Sequence, residues 1–317
     1  MAIALNLNRR AYDLVQTSIR QTDALRVGIS TCAGARIIDC GADARGGYRA
    51  GIWMARICLA DLADVSMQMH DVAGRPCPLV HVYTDHPVAA CMASQYAGWQ
   101  IGVVDYFAMG SGPMRAAAGR EELFDRIGLR ERPDVAVGVL ESAKLPDEAV
   151  IDYLAERTRV DRSNLTLLVA RTASQAGGLQ VVARSVETAL HKLDELGFDL
   201  SRVVSGAGNA PLPPVAADDL AAIGRTNDAV LYGSRVVLSV TGDDASLADV
   251  VPRLPSSASK DHGEPFSAIF ERYDRDFYKI DPTLFSPAEI TLNNVDTGRS
   301  HHAGRCEPDV LGRSFFG

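Results

Sequence analysis

Arg184 and Glu187 stand three residues apart in the run Gly177-Gly178-Leu179-Gln180-Val181-Val182-Ala183-Arg184-Ser185-Val186-Glu187. After the glycine pair, apolar residues recur at Val182, Val186, Ala189, Leu190 and Leu193. That period predicts a helix with Arg184 and Glu187 side by side near its start. A carboxylate held beside a fixed cation stays ionised and aimed, which suits a base that must take a proton from water. The same spacing also describes an exposed ion pair worth well under about 1 kcal/mol. Spacing alone leaves both readings open.

Other segments carry weaker chemical signals. Gly206-Ala207-Gly208-Asn209 follows a short strand, Val203-Val204, and has the look of a phosphate loop. It lacks the third glycine of a dinucleotide fingerprint and the Gly-Lys-Ser/Thr of a P-loop, so a tight turn with Asn209 near a ligand is the plainer expectation. Gly110-Ser111-Gly112-Pro113-Met114-Arg115 could cradle an anion through Ser111, Gly112 and Arg115, or cap a helix. Ser94-Gln95-Tyr96-Ala97-Gly98-Trp99 gathers polar and aromatic groups at an expected helix end. Tyr273 to Pro282, with Tyr278 and Lys279, reads either as a surface turn or as the lining of a cleft for a flat heterocycle.

Metal chemistry is not expected. His81, Asp85 and His86 lie close in sequence and His301-His302 are adjacent, but no His-Glu-x-x-His or Cys-x-x-Cys spacing is present. Strand alternation would separate His81 from His86. No Gly-x-Ser-x-Gly elbow offers a nucleophile.

Many elements must position these groups. Helices are expected at 8–25, 50–62, from Pro87, at 146–157 and at 214–231; strands at 27–31, 35–40, 65–70, 79–84, 135–140, 165–170, 234–240 and 289–293. Residues 252–265 read as a surface loop, and 299–317 as an irregular tail able to embrace a partner. Strands and helices mixed throughout give an α/β (mixed α+β) class. At 317 residues and about 150 residues per domain, two domains are expected, 1–142 and 143–317, with segments free to interleave.

Composition narrows the partners. The chain is 47% hydrophobic and 23% charged, with a net charge of -8. An acidic chain without a long basic run is not built for nucleic acid or an anionic membrane. No stretch reaches the ~20 apolar residues of a membrane span, and the N-terminus lacks signal-peptide order, so a cytoplasmic protein is expected. Six cysteines without paired close spacing read as free thiols in a reducing compartment.

Taken together, several long blocks resemble the methenyltetrahydromethanopterin cyclohydrolase family. They are Asp39-Cys40-Gly41, the run from His86 to Trp99, Ser111-Gly112-Pro113-x-Arg115-Ala116 and Ala183-Arg184-x-x-Glu187-Thr188-x-x-His191-Lys192-Leu193. Arg225-Thr226-Asn227-Asp228, Tyr232-Gly233 and Asp276 to Ala288 complete the set. The resemblance implies two α/β domains with mixed sheets and a large interdomain pocket, assembled as a homotrimer. It implies reversible hydrolysis of 5,10-methenyltetrahydromethanopterin to the 5-formyl compound, without metal or added cofactor, a step shared by methanogenesis and formaldehyde oxidation. By motif, Glu187 becomes the base and Arg184 its partner. The motif does not carry the pterin contacts over residue by residue; Ser94, Gln95, Tyr96, Ser111, Gly112, Arg115, Asn209, Tyr278 and Lys279 are the substrate contacts expected from the segments described above. A non-catalytic pterin carrier on the same scaffold is the alternative; the intact Arg184/Glu187 pair argues against it.

Overall fold

The computed structural model describes residues 5–276 and 279–317. Twelve strands are found among them: β1 Gly28–Cys32, β2 Ala35–Gly41, β3 Asp64–Val72, β4 Arg75–Thr84, β5 Trp99–Val103, β6 Tyr106–Ser111, β7 Ala136–Glu141, β8 Leu165–Ala170, β9 Val203–Pro211, β10 Arg235–Val240, β11 Glu289–Asn294 and β12 Ser300–Gly304. They form two six-stranded sheets, ordered β1-β2-β8-β7-β6-β5 and β12-β11-β10-β9-β4-β3. Both sheets are mixed. In the first, β8 runs parallel to β2 and β7 while the outer pairs are antiparallel. In the second, only β10 and β11 are parallel.

The chain divides into two compact units, one of Met1–Ala63 with Ala89–Gln180, the other of Asp64–Val88 with Val181–Gly317. The β3-β4 hairpin is thus lent by the first half of the sequence to the second unit. Position 142/143 falls in the first unit, between β7 and the helix Glu148–Thr158.

In the first unit, β7 and β8 are mostly apolar, broken only by Thr166 and the terminal Glu141, because both of their faces are covered. Val137, Val139, Leu168 and Ala170 pack with Val15, Trp53 and Met54 on one side. Ala136, Leu140, Leu167 and Val169 pack with Ile37, Ile101 and Leu154 on the other. In the second unit, β9 alternates instead: Gly206, Gly208 and Ala210 are buried while Ala207 is exposed. The helix Ser185–Glu195 covers that buried face, with Val186 and Ser185 set against Gly206 and Gly208.

Several expected elements differ. Val203–Pro211 is one nine-residue strand, not a short strand feeding a glycine loop. Its glycines leave room for a helix and do not form a phosphate cradle. The single helix expected after Gly177 is two, Gln175–Val182 and Ser185–Glu195, with the glycine pair inside the first. Residues 299–317 are not irregular. They form β12 and the helix Pro308–Phe316, whose Val310, Leu311 and Phe315 are buried. The β5-β6 hairpin was not foreseen, although Trp99 and Ile101 alternate with exposed Gln100 and Gly102.

Candidate functional site

Arg184 sits at the joint between the two helices. Its backbone is non-helical, at φ -97 and ψ 11, immediately before Ser185–Glu195 begins. Its N–H donates to the carbonyl of Val181 at 3.1 Å. Its own carbonyl accepts from Thr188 twice, from the N–H at 2.8 Å and from Oγ1 at 2.9 Å. The turn that carries Arg184 is therefore pinned to the helix it opens. Glu187 lies in the first turn of that helix. The positive end of the helix dipole favours a carboxylate there by about 0.3–1 kcal/mol.

Arg184 is 7% exposed and Glu187 is 5% exposed, so the reading as a solvated surface pair does not hold. Charges kept this far from water need partners inside the protein, and each of these residues has one.

The helix start is placed by the strand beneath it. A β-carbon on Gly208 would lie 2.6 Å from Ser185 Oγ, and one on Gly206 would lie 2.8 Å from Val186 Cγ1. Only glycine lets the helix approach so closely. Ser185 Oγ is fully buried and has no hydrogen-bond partner among the described residues.

Asn209 does not join this group. Alternation turns it to the sheet face opposite Gly208 and Ser185. There it is registered with His81 on β4 and Arg235 on β10. Asn209 Oδ1 and His81 Nε2 are both buried without a hydrogen-bond partner among the described residues. Burial, and secondarily the charge of His70, holds His81 below its ordinary pKa.

In the first unit the candidates form one knot. The segment Val88–Gln95 is wound as a π-helix, and Tyr96 N–H closes it on the carbonyl of Cys91 at 2.8 Å. Ser94 Oγ donates to the carbonyl of Cys58 at 2.6 Å. The Cys58 thiol lies 3.3 Å from Ser111 Oγ. Gly112, at φ +85, donates its N–H to the carbonyl of Ser94 at 2.9 Å. Ser94, Gln95 and Ser111 are buried, at 0%, 0% and 2% exposure. Cys58 thus joins two expected contacts, and no sequence spacing signalled it.

Arg115, expected to help cradle an anion, is held by groups of the protein itself. It is wholly buried and its guanidinium is spent on the protein. Nη1 donates to the carbonyl of Met92 at 2.8 Å, Nε to Glu121 at 3.0 Å, and Nη2 pairs with the same carboxylate. The rings of Tyr96 and Phe124 lie at 4.9 and 5.3 Å from Cζ. Its work is to brace the Met92–Tyr96 segment.

Tyr278 lies outside the described residues. Lys279 is half exposed, with Asp274 at 3.5 Å and Asp276 at 4.0 Å from its amine. A polar network follows it. Asp281 accepts from Ser259 Oγ at 2.7 Å and from Thr283 N–H at 3.0 Å. Asp261 accepts from Tyr273 OH at 2.9 Å and from the N–H of Asp281 at 3.1 Å. Lys192, two turns beyond Arg184 on the same helix, is 2% exposed and donates from Nζ to the carbonyl of Thr283 at 2.8 Å. In sequence Lys192 stands in the block that carries the family resemblance, but neither that block nor the amphipathic repeat assigned it a role.

The histidines do not converge. His301 Nε2 lies 3.3 Å from Asp244 and His302 Nδ1 lies 3.0 Å from Thr291 Oγ1. Among the described residues, no three His, Cys, Asp or Glu side chains gather as metal ligands would. Among those residues, no helix is long and apolar enough to cross a membrane.

A family model described as cyclohydrolase (MCH) matches residues 6–315. A methenyltetrahydromethanopterin cyclohydrolase of Rhodopirellula baltica is 46% identical over 318 residues, covering 98% of this chain and 95% of the relative. Proteins of the same name from Methanosarcina mazei and Methylobacillus flagellatus are 46% and 43% identical, covering 89% and 98% of this chain and 89% and 95% of their own lengths.

Proposed function

The chain belongs to the methenyltetrahydromethanopterin cyclohydrolase family, and from that premise we propose that Glu187 is its water-activating base, with Arg184 as partner. The reaction is the reversible hydrolysis of 5,10-methenyltetrahydromethanopterin to the 5-formyl compound, a step of one-carbon metabolism. The observation that carries the residue assignment is the burial of both groups at the pinned start of one helix.

The chemistry fits those groups. The substrate carbon lies between two nitrogens that share a positive charge, so it is electrophilic without a Lewis acid. Water adds to that carbon and gives one proton to the Glu187 carboxylate. The product of this step is a neutral carbinolamine. Glu187 then returns its proton to the departing aryl nitrogen as the carbon–nitrogen bond breaks. The hydroxyl proton leaves as the formyl carbonyl forms, so the net reaction consumes one water and releases one proton. General acid–base help of this kind contributes about 10² to 10⁴-fold.

Arg184 has a second duty. A bare carboxylate facing a cation would bind the ground state tightly and gain nothing in rate. A guanidinium beside Glu187 offsets that attraction and fixes its rotamer.

No metal or added cofactor is required by this sequence of steps. The assembly is a homotrimer, as the resemblance implies. The location is cytoplasmic, which agrees with six free cysteines and no disulfide. The test is absorbance. Purified protein should bleach the methenyl chromophore in excess chelator, with no nicotinamide present. Activity abolished by chelator and restored by zinc would contradict the metal-free reading. Light scattering should return about three times the 34.0 kDa chain mass.

A further inference from the structure

Lys192 is buried, yet neither the base nor its partner needs it in the reaction above. A buried lysine is costly unless its ammonium is satisfied, and burial holds its pKa below the ordinary value. Its ammonium donates to a backbone carbonyl, that of Thr283, at 2.8 Å. The charges of Asp281 and, secondarily, Glu195 oppose the effect of burial.

Two features make that contact more than a local repair. The first is its place on the helix. Arg184, Thr188 and Lys192 recur every four residues and so share one stripe. The stripe begins with the Arg184 carbonyl held by Thr188 Oγ1 and ends with Lys192 holding Thr283. The second is what it holds. Residues 281–284 form a tight turn that Asp281 caps with its own carboxylate. The same carboxylate is fastened to Ser259, and the N–H of Asp281 is fastened to Asp261. Lys279 stands two residues before that turn.

We propose that Lys192 is a positioning residue for pterin binding: it bolts the 279–284 segment to the helix that presents Arg184 and Glu187. Through that bolt, the segment expected to meet the pterin keeps a fixed register with the catalytic pair. Lys192 itself does not touch the reacting atoms. The proposal rests on the reading of Glu187 as base and Lys279 as a pterin contact.

Steady-state kinetics of Lys192→Met and Lys192→Arg test it. Lys192→Met should raise KM for the methenyl pterin about tenfold or more and leave kcat within about threefold. Lys192→Arg, which keeps charge and donors, should return KM to within about threefold of the parent. A purely structural lysine would lower Tm with KM unmoved. That result in Lys192→Met overturns the proposal. Should Lys192→Met fail to fold, Lys192→Gln replaces it, with KM raised threefold or more supporting the bolt and a parental KM overturning it. Failure of the base assignment is read separately, from kcat of Glu187→Gln.

Discussion

Ser185 Oγ lies 2.6 Å from the point that a β-carbon on Gly208 would occupy. This relationship fixes how the helix carrying Arg184 and Glu187 sits on its sheet. Strand backbone and helix side chain touch without a spacer, so nothing between them can give. Gly208→Ala should therefore push the helix start away from β9. Overpacking of this kind costs about 1–3 kcal/mol. The expected outcome is a lower Tm together with a fall in kcat of tenfold or more, because the displaced turn carries Glu187, the base proposed above. A lower Tm with parental kcat would show that the helix start does not depend on this contact.

Arg184→Lys separates charge from shape. Lysine keeps the positive charge and loses the planar fork that holds a carboxylate at two points. Turnover should fall at least tenfold while KM changes little. Parental turnover would mean that charge alone suffices beside Glu187.

Arg115 gives a test of opposite sign. Its guanidinium is committed to Glu121 and to the carbonyl of Met92. Breaking a buried pair of this kind is costly, and lysine cannot reproduce the geometry. Arg115→Lys should destabilise the protein by about 2 kcal/mol or more in denaturant unfolding, with KM for the pterin unchanged among the folded molecules. A raised KM at parental stability would return Arg115 to the substrate.

Asp228 makes stability depend on pH. It is 1% exposed, and burial pushes its carboxyl up to about 7. Its oxygens accept from the Phe266 N–H at 2.7 Å and from Ser314 Oγ at 2.5 Å, tying the C-terminal helix to the unit. A raised carboxyl favours the protonated folded state. Its contribution is complete below about pH 4, fades as the unfolded chain loses its proton, and is gone above about pH 7, the folded value. Asp228→Asn should thus be more stable than the parent at pH 8, by the order of 1–3 kcal/mol, and lose that advantage at pH 4. Parallel Tm curves across this range would remove Asp228 as the cause.

Much of the fold could be read before any coordinates. The strand Leu165–Ala170 and the hairpin at Ala33–Gly34 follow directly from apolar runs and turn residues. The mixed α/β class follows from their alternation along the chain. What escaped was governed by contacts distant in sequence. Glycines at 206 and 208 signal a loop locally, and only the helix packed above them makes them strand residues. The tail after Gly298 has weak periodicity, and its helix is held by burial of Val310, Leu311 and Phe315. At the site, the Arg184 and Glu187 motif was legible, but their burial was not. Cys58 left no pattern in the sequence, and Lys192, though it stands in the Arg184/Glu187 block, gave no sign there of its burial or of its contact with Thr283.

The central claim is that Glu187 takes the proton from the attacking water. Glu187→Gln keeps size and polar contacts while removing the base. Turnover of the methenyl pterin, followed by loss of its absorbance, should drop by a factor of about 10² or more, with the substrate still bound at near-parental affinity. Near-normal turnover in this variant would contradict the account.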